Sequence, residues 1–192
     1  MTDDVRVRCA WIDESRLAPA DFILYRDYHD TEWGRPLRDS AALFERISLE
    51  AFQSGLSWLI ILRKRENFRR AFGGFDVERV ARYADKDIAR LMADTGIVRN
   101  RAKVEATIAN ARAATDLDVD LSELLWSFAP PRKARPADVS QVPAVTPEST
   151  AMAKELKRRG FRFVGPTTAY ALMQATGMVD DHTADCWVPA VS

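Results

Sequence analysis

Residues 91–103 read LMADTGIVRNRAK and join two segments that have the apolar spacing of amphipathic helices. The apolar positions are Ile88, Leu91 and Met92 before the turn, and Val104, Ile108 and Ala111 after it. Gly96 permits a tight turn with exposed backbone N–H groups, and a helix that begins there presents N–H groups to a phosphate. Arg99, Arg101 and Lys103 add positive charge. We therefore predict a helical hairpin over about residues 88–111 that binds DNA phosphates without reading sequence. The alternative is an ordinary helix corner with solvated basic residues.

The remaining segments also have helical periodicity, and strand signals are weak. Caps are expected at Asp39-Ser40, Asp76, Asp85 and Thr146, and helix ends at Gly55, Gly160 and Gly177. Phe161–Val164 alternates but is too short to build a sheet. Five of the nine prolines fall within residues 129–147, which we expect to form a surface loop. The sequence thus predicts an all-α protein with a single domain over residues 1–192.

Composition limits the classes of protein without choosing among them. The chain of 192 residues is 47% hydrophobic and 29% charged, with a formal net charge of zero, so a basic DNA-binding surface would have to be local. No stretch approaches the roughly 18 apolar residues of a membrane span, and the first residues lack the apolar run of an export signal. With only two cysteines, we expect a cytoplasmic protein that does not bind membranes.

The two cysteines and two histidines of the chain lie near its two ends. Cys9 and His29 are near the start, and His182 and Cys186 are four residues apart near the end. Two thiolates and two imidazoles are the ligands of a closed tetrahedral zinc site, which is structural because no position remains for water. The residue types alone leave open that these are four unrelated buried side chains.

Glu50 is the most unusual carboxylate. It follows Leu43 and Ile47 at helical spacing, which places it at the edge of an apolar face, where burial is costly without a partner. The aromatic residues near it in sequence are Trp58 and, in the N-terminal segment, Trp11, Tyr25, Tyr28 and Trp33. Aromatic rings stack on a base flipped out of DNA, and a carboxylate accepts hydrogen bonds from its edge and attracts a cationic methylated purine. The alternative is a partly solvated glutamate above packed tryptophans.

Several stretches resemble the bacterial DNA-3-methyladenine glycosylase I family. They are residues 8–11 (RCAW), 28–34 (YHDTEWG), 50–58 (EAFQSGLSW), 96–103 (GIVRNRAK), 125–128 (LWSF), 157–165 (KRRGFRFVG) and 181–182 (DH). The resemblance extends in order from about Cys9 to Cys186, which is nearly the whole chain.

The resemblance implies a helix–hairpin–helix glycosylase fold with two helical lobes around a base-binding cleft. It implies one structural zinc that joins the N- and C-terminal segments through Cys9, His29, His182 and Cys186. In the implied pocket, Glu50 and Tyr28 hydrogen-bond the methylated base and Trp58 stacks on it. Trp11, Tyr25 and Trp33 line or support that pocket. Gly55 lies in a loop that enters the duplex.

The implied reaction is hydrolysis of the N-glycosidic bond of 3-methyladenine in double-stranded DNA, which leaves an abasic site. We expect a monomer without an obligate protein partner and without a lyase step, since nothing in the sequence marks Lys103 as a Schiff-base nucleophile. The main alternative is a non-catalytic, zinc-stabilised DNA-binding module. An iron–sulfur glycosylase would need four cysteines, and a zinc hydrolase would need an open coordination position.

Overall fold

The computed structural model of the protein describes residues 6–190, and within this range the backbone forms nine α-helices and no β-strand. The helices are α1 (Pro19–Thr31), α2 (Ser40–Gln53), α3 (Trp58–Ala71), α4 (Val77–Ala81), α5 (Asp85–Ala93), α6 (Arg101–Thr115), α7 (Leu121–Trp126), α8 (Pro147–Arg158) and α9 (Pro166–Ala175). The all-α prediction is confirmed. Residues 1–5, which carry most of the N-terminal stretch expected to lack an export signal, lie outside the described range.

Helix α2 lies at the centre of the packing, because it contacts α3, α6, α7 and α9. From Leu43 to Phe52 every residue except Glu45 is buried, so this helix is enclosed on most of its circumference. Phe52 packs on Phe68 of α3 with the ring centroids 4.6 Å apart. Each buried phenylalanine contributes about 1.5–3 kcal/mol relative to an exposed one. Polar residues on α2 are therefore held inside the protein by a core that surrounds them.

Side-chain caps begin several helices where the sequence predicted them. Asp39, Asp76 and Thr146 each accept a hydrogen bond from a backbone N–H in the first turn of α2, α4 and α8. Asp85 is placed differently from the expectation, since it is the first residue of α5 and Ala84 is the N-cap. The carboxylate that caps the start of α5 is that of Asp87, which accepts a hydrogen bond from the N–H of Ala84 at 3.1 Å.

Helix α1 has no clear apolar stripe, and its bounds were not predicted. Only Tyr28, His29 and Asp30 are buried on it. Three consecutive buried residues do not repeat at helical spacing, so periodicity gives no signal. The sequence signal for the start of α1 was Pro19, which occupies the first helical position, where a missing N–H costs no hydrogen bond.

The end of α9 packs tightly on the segment that follows α1. Leu37 donates its N–H to the carbonyl of Thr176 at 3.1 Å. Gly177 has φ +70°, and a Cβ there would lie 2.7 Å from the backbone carbon of Arg35. Only glycine fits this contact. The close approach brings the region after α1 beside α9, where both contribute to one cavity.

Residues 129–146 form an irregular segment with one short 3-10 turn, Val139–Gln141, so the predicted loop is present except that Pro147 begins α8. A cavity of about 440 Å³ lies between this segment and Met178–Asp181. Farther along, Ala184 donates its N–H to the carbonyl of Pro136, and Trp187 donates to that of Val7. The C-terminal segment is thus held against both the proline-rich segment and the N-terminus. Among residues 6–190, no helix has the length and hydropathy needed to cross a bilayer.

Candidate functional site: an aromatic cavity around Glu50

A cavity of about 120 Å³ opens beside Glu50. Its aromatic walls are Trp11, Tyr25, Trp33 and Trp58, and its other lining residues are Glu50, Gln53, Ala171 and Gln174. This volume is well below the roughly 300 Å³ at which pockets for drug-sized ligands begin. The cavity is therefore suited to one flat ring system rather than to a whole nucleotide.

The walls come from segments that are far apart in the sequence. Tyr25 lies on α1, Trp58 is the first residue of α3, and Gln174 lies on α9. Trp11 packs against Tyr25 with the ring centroids 4.9 Å apart and against Trp33 at 5.2 Å. The structure thus brings four of the five predicted pocket aromatics to one cavity.

Tyr28 lies behind this cavity and is buried rather than lining it. Its hydroxyl accepts a hydrogen bond from Arg46 Nη1 at 2.7 Å. Its ring packs on Trp58 at 5.4 Å between centroids. Because the acceptor side of the hydroxyl is occupied by Arg46, the hydroxyl proton remains available for donation.

Glu50 is deeper than the helix edge expected from the sequence, with only 5% of its surface exposed. Burial raises the pKa of Glu50 to about 7, and the positive charge of Arg46 opposes that rise. Arg46 is also buried and lies one helical turn earlier on α2. Arg46 approaches Glu32 at 3.5 Å, and Arg65 neutralises Glu32 at 2.6 and 2.8 Å. The carboxyl group of Glu50 therefore titrates far closer to neutral pH than an exposed glutamate does.

Trp58 carries a buried donor into this site. Its indole nitrogen is inaccessible to solvent and has no hydrogen-bond partner within residues 6–190. Buried donors in folded proteins are almost always paired. The guanidinium of Arg46 lies 5.4 Å from the centroid of the Trp58 ring, within cation–π range.

The four predicted metal ligands converge into one cluster beside the last turn of α1, which carries His29. All four are buried, and their ligand atoms lie within 4.8 Å of one another. The separations are 3.6 Å from Cys9 Sγ to His182 Nδ1, 3.6 Å from Cys186 Sγ to His29 Nε2, and 3.5 Å from Cys186 Sγ to His182 Nδ1. Ideal tetrahedral zinc bonds imply a sulfur-to-nitrogen separation of about 3.6 Å. The donor set and its spacing therefore fit zinc.

The second nitrogen of each imidazole is fixed by a partner outside the cluster. His29 Nδ1 lies 2.8 Å from Asp30 Oδ1, and His182 Nε2 lies 3.2 Å from the carbonyl of Trp33. Arg8 and the indole of Trp187 hold Asp30 in turn. Such partners set the tautomer and orientation of metal-binding histidines. Trp33 thus connects the cluster to the cavity wall.

Burial within the cluster disfavours charge on its ligands. It raises the pKa of the Cys9 thiol to about 11 and lowers the pKa of His182 to about 4. Thiolates in such a place need a cation beside them, which a divalent metal supplies. Gly34 makes room for the cluster, since a Cβ there would lie 2.9 Å from His182 Nε2.

The turn between α5 and α6 has Gly96 at its centre, but not for the expected reason. Its φ is not positive, and its N–H donates to Asp94 Oδ1 at 2.7 Å. A Cβ at this position would lie 2.9 Å from that same oxygen and 3.1 Å from Asn67. Glycine thus lets the side chains of Asp94 and Asn67 pack closely against this turn. Gly55 differs, since it has φ +80° in an exposed loop with open space around it.

The basic residues of this turn divide into two kinds. Arg99 is exposed, and so is Arg101, which pairs with Glu105 at 3.3 Å. Lys103, which was predicted to bind DNA, is buried instead, with only 7% of its surface accessible. Its Nζ donates to the carbonyls of Phe52 at 2.9 Å and Ser54 at 2.5 Å. Lys103 therefore fastens the start of α6 to the end of α2 and to the loop that carries Gly55.

Residues 20–189 match the protein family described as methyladenine glycosylase. The chain belongs to the methyladenine glycosylase family. It is similar to the DNA-3-methyladenine glycosylase of Haemophilus influenzae, with 44% identity over 184 residues that cover 93% of this chain and 96% of that protein. It is similar to DNA-3-methyladenine glycosylase 1 of Escherichia coli, with 43% identity over 184 residues that cover 93% and 95%.

Solved structures of methyladenine glycosylases have the same fold. A crystal structure of 3-methyladenine DNA glycosylase I matches this chain with a TM-score of 0.88 and 44% identity, covering 94% of this chain and 98% of the other. A Staphylococcus aureus structure that addresses 3-methyladenine recognition matches with a TM-score of 0.88 and 36% identity, covering 96% and 98%. The resemblance inferred from the motifs is confirmed, and with it the prediction of an enzyme that acts on N-glycosyl bonds.

Three polar residues of this methyladenine glycosylase site, Arg46, Gln53 and Gln174, were missed as site residues by the sequence reasoning. Arg46 precedes Glu50 by four residues on α2, and a cation one turn from a buried acid was an available signal. Gln174 is a polar residue in the otherwise mostly apolar helix α9, which was a weaker signal. Neither spacing identifies a cavity, since the two helices meet only in the folded chain.

Proposed function

We propose that this protein hydrolyses the N-glycosidic bond of 3-methyladenine in double-stranded DNA and leaves an abasic site. The observation that carries the proposal is the buried Glu50 carboxyl in a base-sized cavity walled by four aromatic side chains. The relatives described as DNA-3-methyladenine glycosylases support the same reaction.

The cavity suits a flat cation. 3-Methyladenine in DNA is positively charged, so aromatic faces and a carboxylate both attract it. Entry of a cation beside Glu50 lowers the pKa of its carboxyl group and favours the ionised form. Neutral adenine lacks this interaction. Glu50 therefore acts in selection of the base and in stabilisation of positive charge as the glycosidic bond breaks.

Tyr28 and Trp58 have separate proposed roles. Trp58 lines the cavity and stacks on the base, while Trp11, Tyr25 and Trp33 complete the walls. The proposed hydrogen bond from Tyr28 to the base uses the hydroxyl proton that Arg46 leaves free. In the structure Tyr28 does not line the cavity, so this bond requires its hydroxyl to move towards the base.

We assign DNA binding to the face that carries the Gly55 loop and the α5–α6 turn. We interpret α5, this turn and α6 as the helix–hairpin–helix element of a two-lobed glycosylase. Arg99 supplies an exposed positive charge, and the first turn of α6 supplies backbone N–H groups, of which that of Lys103 is bonded to Asn100. Lys103 joins these two elements from behind through the carbonyl of Ser54. Gly55 lies in the exposed loop that would approach the lesion.

Zinc is proposed as a structural ion held by Cys9, His29, His182 and Cys186. When bound, it supplies a cross-link between the two ends of the chain. Four protein ligands leave no open position for a water, so excision depends on the cavity residues. The cluster supports the cavity through Trp33, whose carbonyl contacts His182. A single domain, a monomeric state and a cytoplasmic location remain predictions from the sequence.

The reaction is tested on duplex DNA methylated with dimethyl sulfate. Chromatography should detect free 3-methyladenine, and the treated strand should stay intact until alkali cleaves it at the abasic site. Burial lowers the pKa of Lys103, which is one property of a Schiff-base lysine. Its ammonium is held by two carbonyls and does not line the cavity, so a lyase product is not expected. Binding to methylated DNA without release of any base would instead identify a non-catalytic module.

A further inference from the structure

Lys103 on α6 binds the end of α2 and the loop that follows it, residues 54–57. Its Nζ donates to the carbonyls of Phe52 at 2.9 Å and Ser54 at 2.5 Å. The last carbonyls of a helix have no partners within the helix, and a cation beside them is favoured by the helix dipole. Helix α2 has no basic residue in its own last turn. Lys103 therefore supplies, from a distant helix, the cation that α2 lacks.

Lys64 on α3 makes the corresponding contact with the α5–α6 turn. Its Nζ donates to the carbonyls of Thr95 at 3.1 Å and Gly96 at 3.3 Å. These carbonyls lie just beyond Ala93, the last residue of α5. A second lysine thus binds a second connecting segment at the end of a helix.

The two contacts are reciprocal. Helix α3, which carries Lys64, begins directly after the α2–α3 loop, and α6, which carries Lys103, begins after the α5–α6 turn. Each lysine therefore holds the segment that precedes the helix of the other lysine. An ammonium has three N–H donors and no acceptor, and two donors are used in each contact. Separation of the two segments would break four hydrogen bonds from charged donors, which are stronger than neutral ones.

We propose that Lys64 and Lys103 are positioning residues that join the α2–α3 loop and the α5–α6 turn into one preformed surface for duplex DNA beside the lesion. The inference rests on the proposed function, which assigns DNA binding to these two segments, and it adds the residues that hold them together. Neither ammonium contacts a phosphate in this arrangement, because each is bonded to protein carbonyls. The α2–α3 loop also joins two cavity-lining residues, Gln53 and Trp58. Its position is thereby tied to the walls of the cavity.

A preformed loop favours binding because the ordering of a flexible segment opposes association. The α2–α3 loop is exposed. Gly55 within it has φ +80°, and no atom of residues 6–190 would lie within 4 Å of a Cβ at this position. Packing therefore does little to hold the tip of the loop. Without Lys103 the loop would sample more conformations, and binding of the duplex would have to select one of them.

The test measures KM and kcat for release of 3-methyladenine from methylated duplex DNA by Lys64→Met and Lys103→Met. Methionine keeps most of the aliphatic chain and removes the ammonium. We expect KM to rise about tenfold in each variant, the scale for ordering a few side chains at an interface, while kcat changes little. An unchanged KM in either variant would overturn the proposal.

Binding of the free base separates positioning of the loops from damage to the cavity. Affinity for free 3-methyladenine is followed by quenching of the cavity tryptophans. It should stay at the wild-type value in both variants, because a free base does not need the DNA-binding segments. Parallel losses of affinity for the duplex and for the free base would show a general structural role and would contradict the proposal.

The salt dependence of duplex binding separates positioning from direct contact. Arg99→Ala should reduce the slope of log affinity against log salt by about 1, as expected for a lost phosphate contact. Lys64→Met and Lys103→Met should instead weaken binding at every salt concentration and keep the wild-type slope. A slope reduced by about 1 in either lysine variant would identify that ammonium as a phosphate contact and refute its positioning role.

Two further variants test Lys64, which is half-buried and so less critical to folding than Lys103. Lys64→Arg keeps a charged donor for the two carbonyls and should retain the wild-type KM. A KM as high as that of Lys64→Met would count against the proposal. Lys86→Met is the matched control, since Lys86 is an exposed lysine in the first turn of α5, at the end away from the α5–α6 turn. It should leave KM unchanged, and an equal rise would show that loss of charge alone is the cause.

Hydrogen exchange measures the loosening of each segment directly. Exchange of backbone N–H groups should accelerate within residues 54–57 in Lys103→Met and within residues 94–98 in Lys64→Met, while the centre of α2 stays protected. Unchanged exchange in these segments would overturn the proposal. If the wild-type protein releases no methylated base, the proposed function fails. If it releases 3-methyladenine and KM is insensitive to both lysines, only this inference fails.

Discussion

Arg46 lies one helical turn before Glu50 on α2, and both side chains are buried beside the aromatic cavity. Desolvation raises the pKa of Glu50 to about 7, and the guanidinium of Arg46 limits that rise. Burial also raises the pKa of Tyr25 and of Tyr28 above the ordinary tyrosine value, so both phenols stay neutral at physiological pH. The ionisation of Glu50 therefore depends on one cation from its own helix.

The pH dependence of base release should report the ionisation of Glu50. The ionised carboxylate binds the cationic base, so kcat/KM should fall as the pH drops below about 7 and reach a plateau above it. Arg46→Met removes the opposing cation and should move this acid limb to higher pH. Arg46→Lys keeps the charge and should leave the limb near its wild-type position. An acid limb in Arg46→Met that is unmoved or shifted to lower pH would contradict the electrostatic role of Arg46.

Glu50 should reduce the stability of the folded protein at higher pH. Its folded-state pKa of about 7 lies above the ordinary glutamate value of about 4.3. The folded state therefore binds more protons between these values, and the free energy of unfolding falls as the pH rises through them. At about 1.4 kcal/mol per pKa unit, the loss is on the order of 4 kcal/mol. Glu50→Gln should remove this loss, so its Tm advantage over wild type should grow from pH 5 to pH 8. A constant difference across that range would argue against the raised pKa.

The metal cluster should hold about one zinc per chain, as elemental analysis would measure. Cys186→Ser should lose the metal and lower the Tm, because a ligand is removed and the chain ends are released. Asp185→Ser is the matched control, since Asp185 is exposed and adjacent in sequence. Asp30→Asn keeps all four ligands and should weaken zinc affinity by about 10- to 100-fold, because Asp30 contacts His29. Full zinc content in Cys186→Ser would disprove the ligand set.

Arg99 and Lys103 should differ in what their removal changes. Arg99→Ala should weaken DNA binding and reduce the slope of log affinity against log salt by about 1, with little change in Tm. Lys103→Met leaves the carbonyls of Phe52 and Ser54 without their buried donor and should destabilise the fold by about 1–3 kcal/mol. Thermal unfolding and salt-dependent fluorescence anisotropy measure the two effects. The assignment fails if Lys103→Met changes the salt slope while the Tm stays at the wild-type value.

The sequence predicts well those features that local chemistry determines. Helices begin at Asp39, Asp76 and Thr146 because their side chains bond backbone N–H groups within one turn. The aromatic walls could be anticipated from residue type, although their convergence on Glu50 came from family resemblance.

Long-range contacts account for what the sequence could not reveal. Lys103 was predicted to add positive charge to the DNA-binding hairpin, whereas its ammonium is bound by the carbonyls of Phe52 and Ser54, which lie 51 and 49 positions earlier in the sequence. Gln174 donates a side-chain N–H to Asp181, which lies beyond the end of α9. Pairings of this kind follow from packing of distant helices, which periodicity does not encode.

The most direct test of the central claim is the rate of 3-methyladenine release from methylated duplex DNA by Glu50→Gln relative to wild type. Glu45→Gln, on the same helix but paired with Arg69 at 2.8 Å, is the matched control. The proposed mechanism predicts release by wild type and Glu45→Gln, and a kcat/KM for Glu50→Gln that is lower by about 100-fold or more, the scale for loss of a charge-stabilising group. Equal rates for Glu50→Gln and wild type, or no release by wild type, would contradict it.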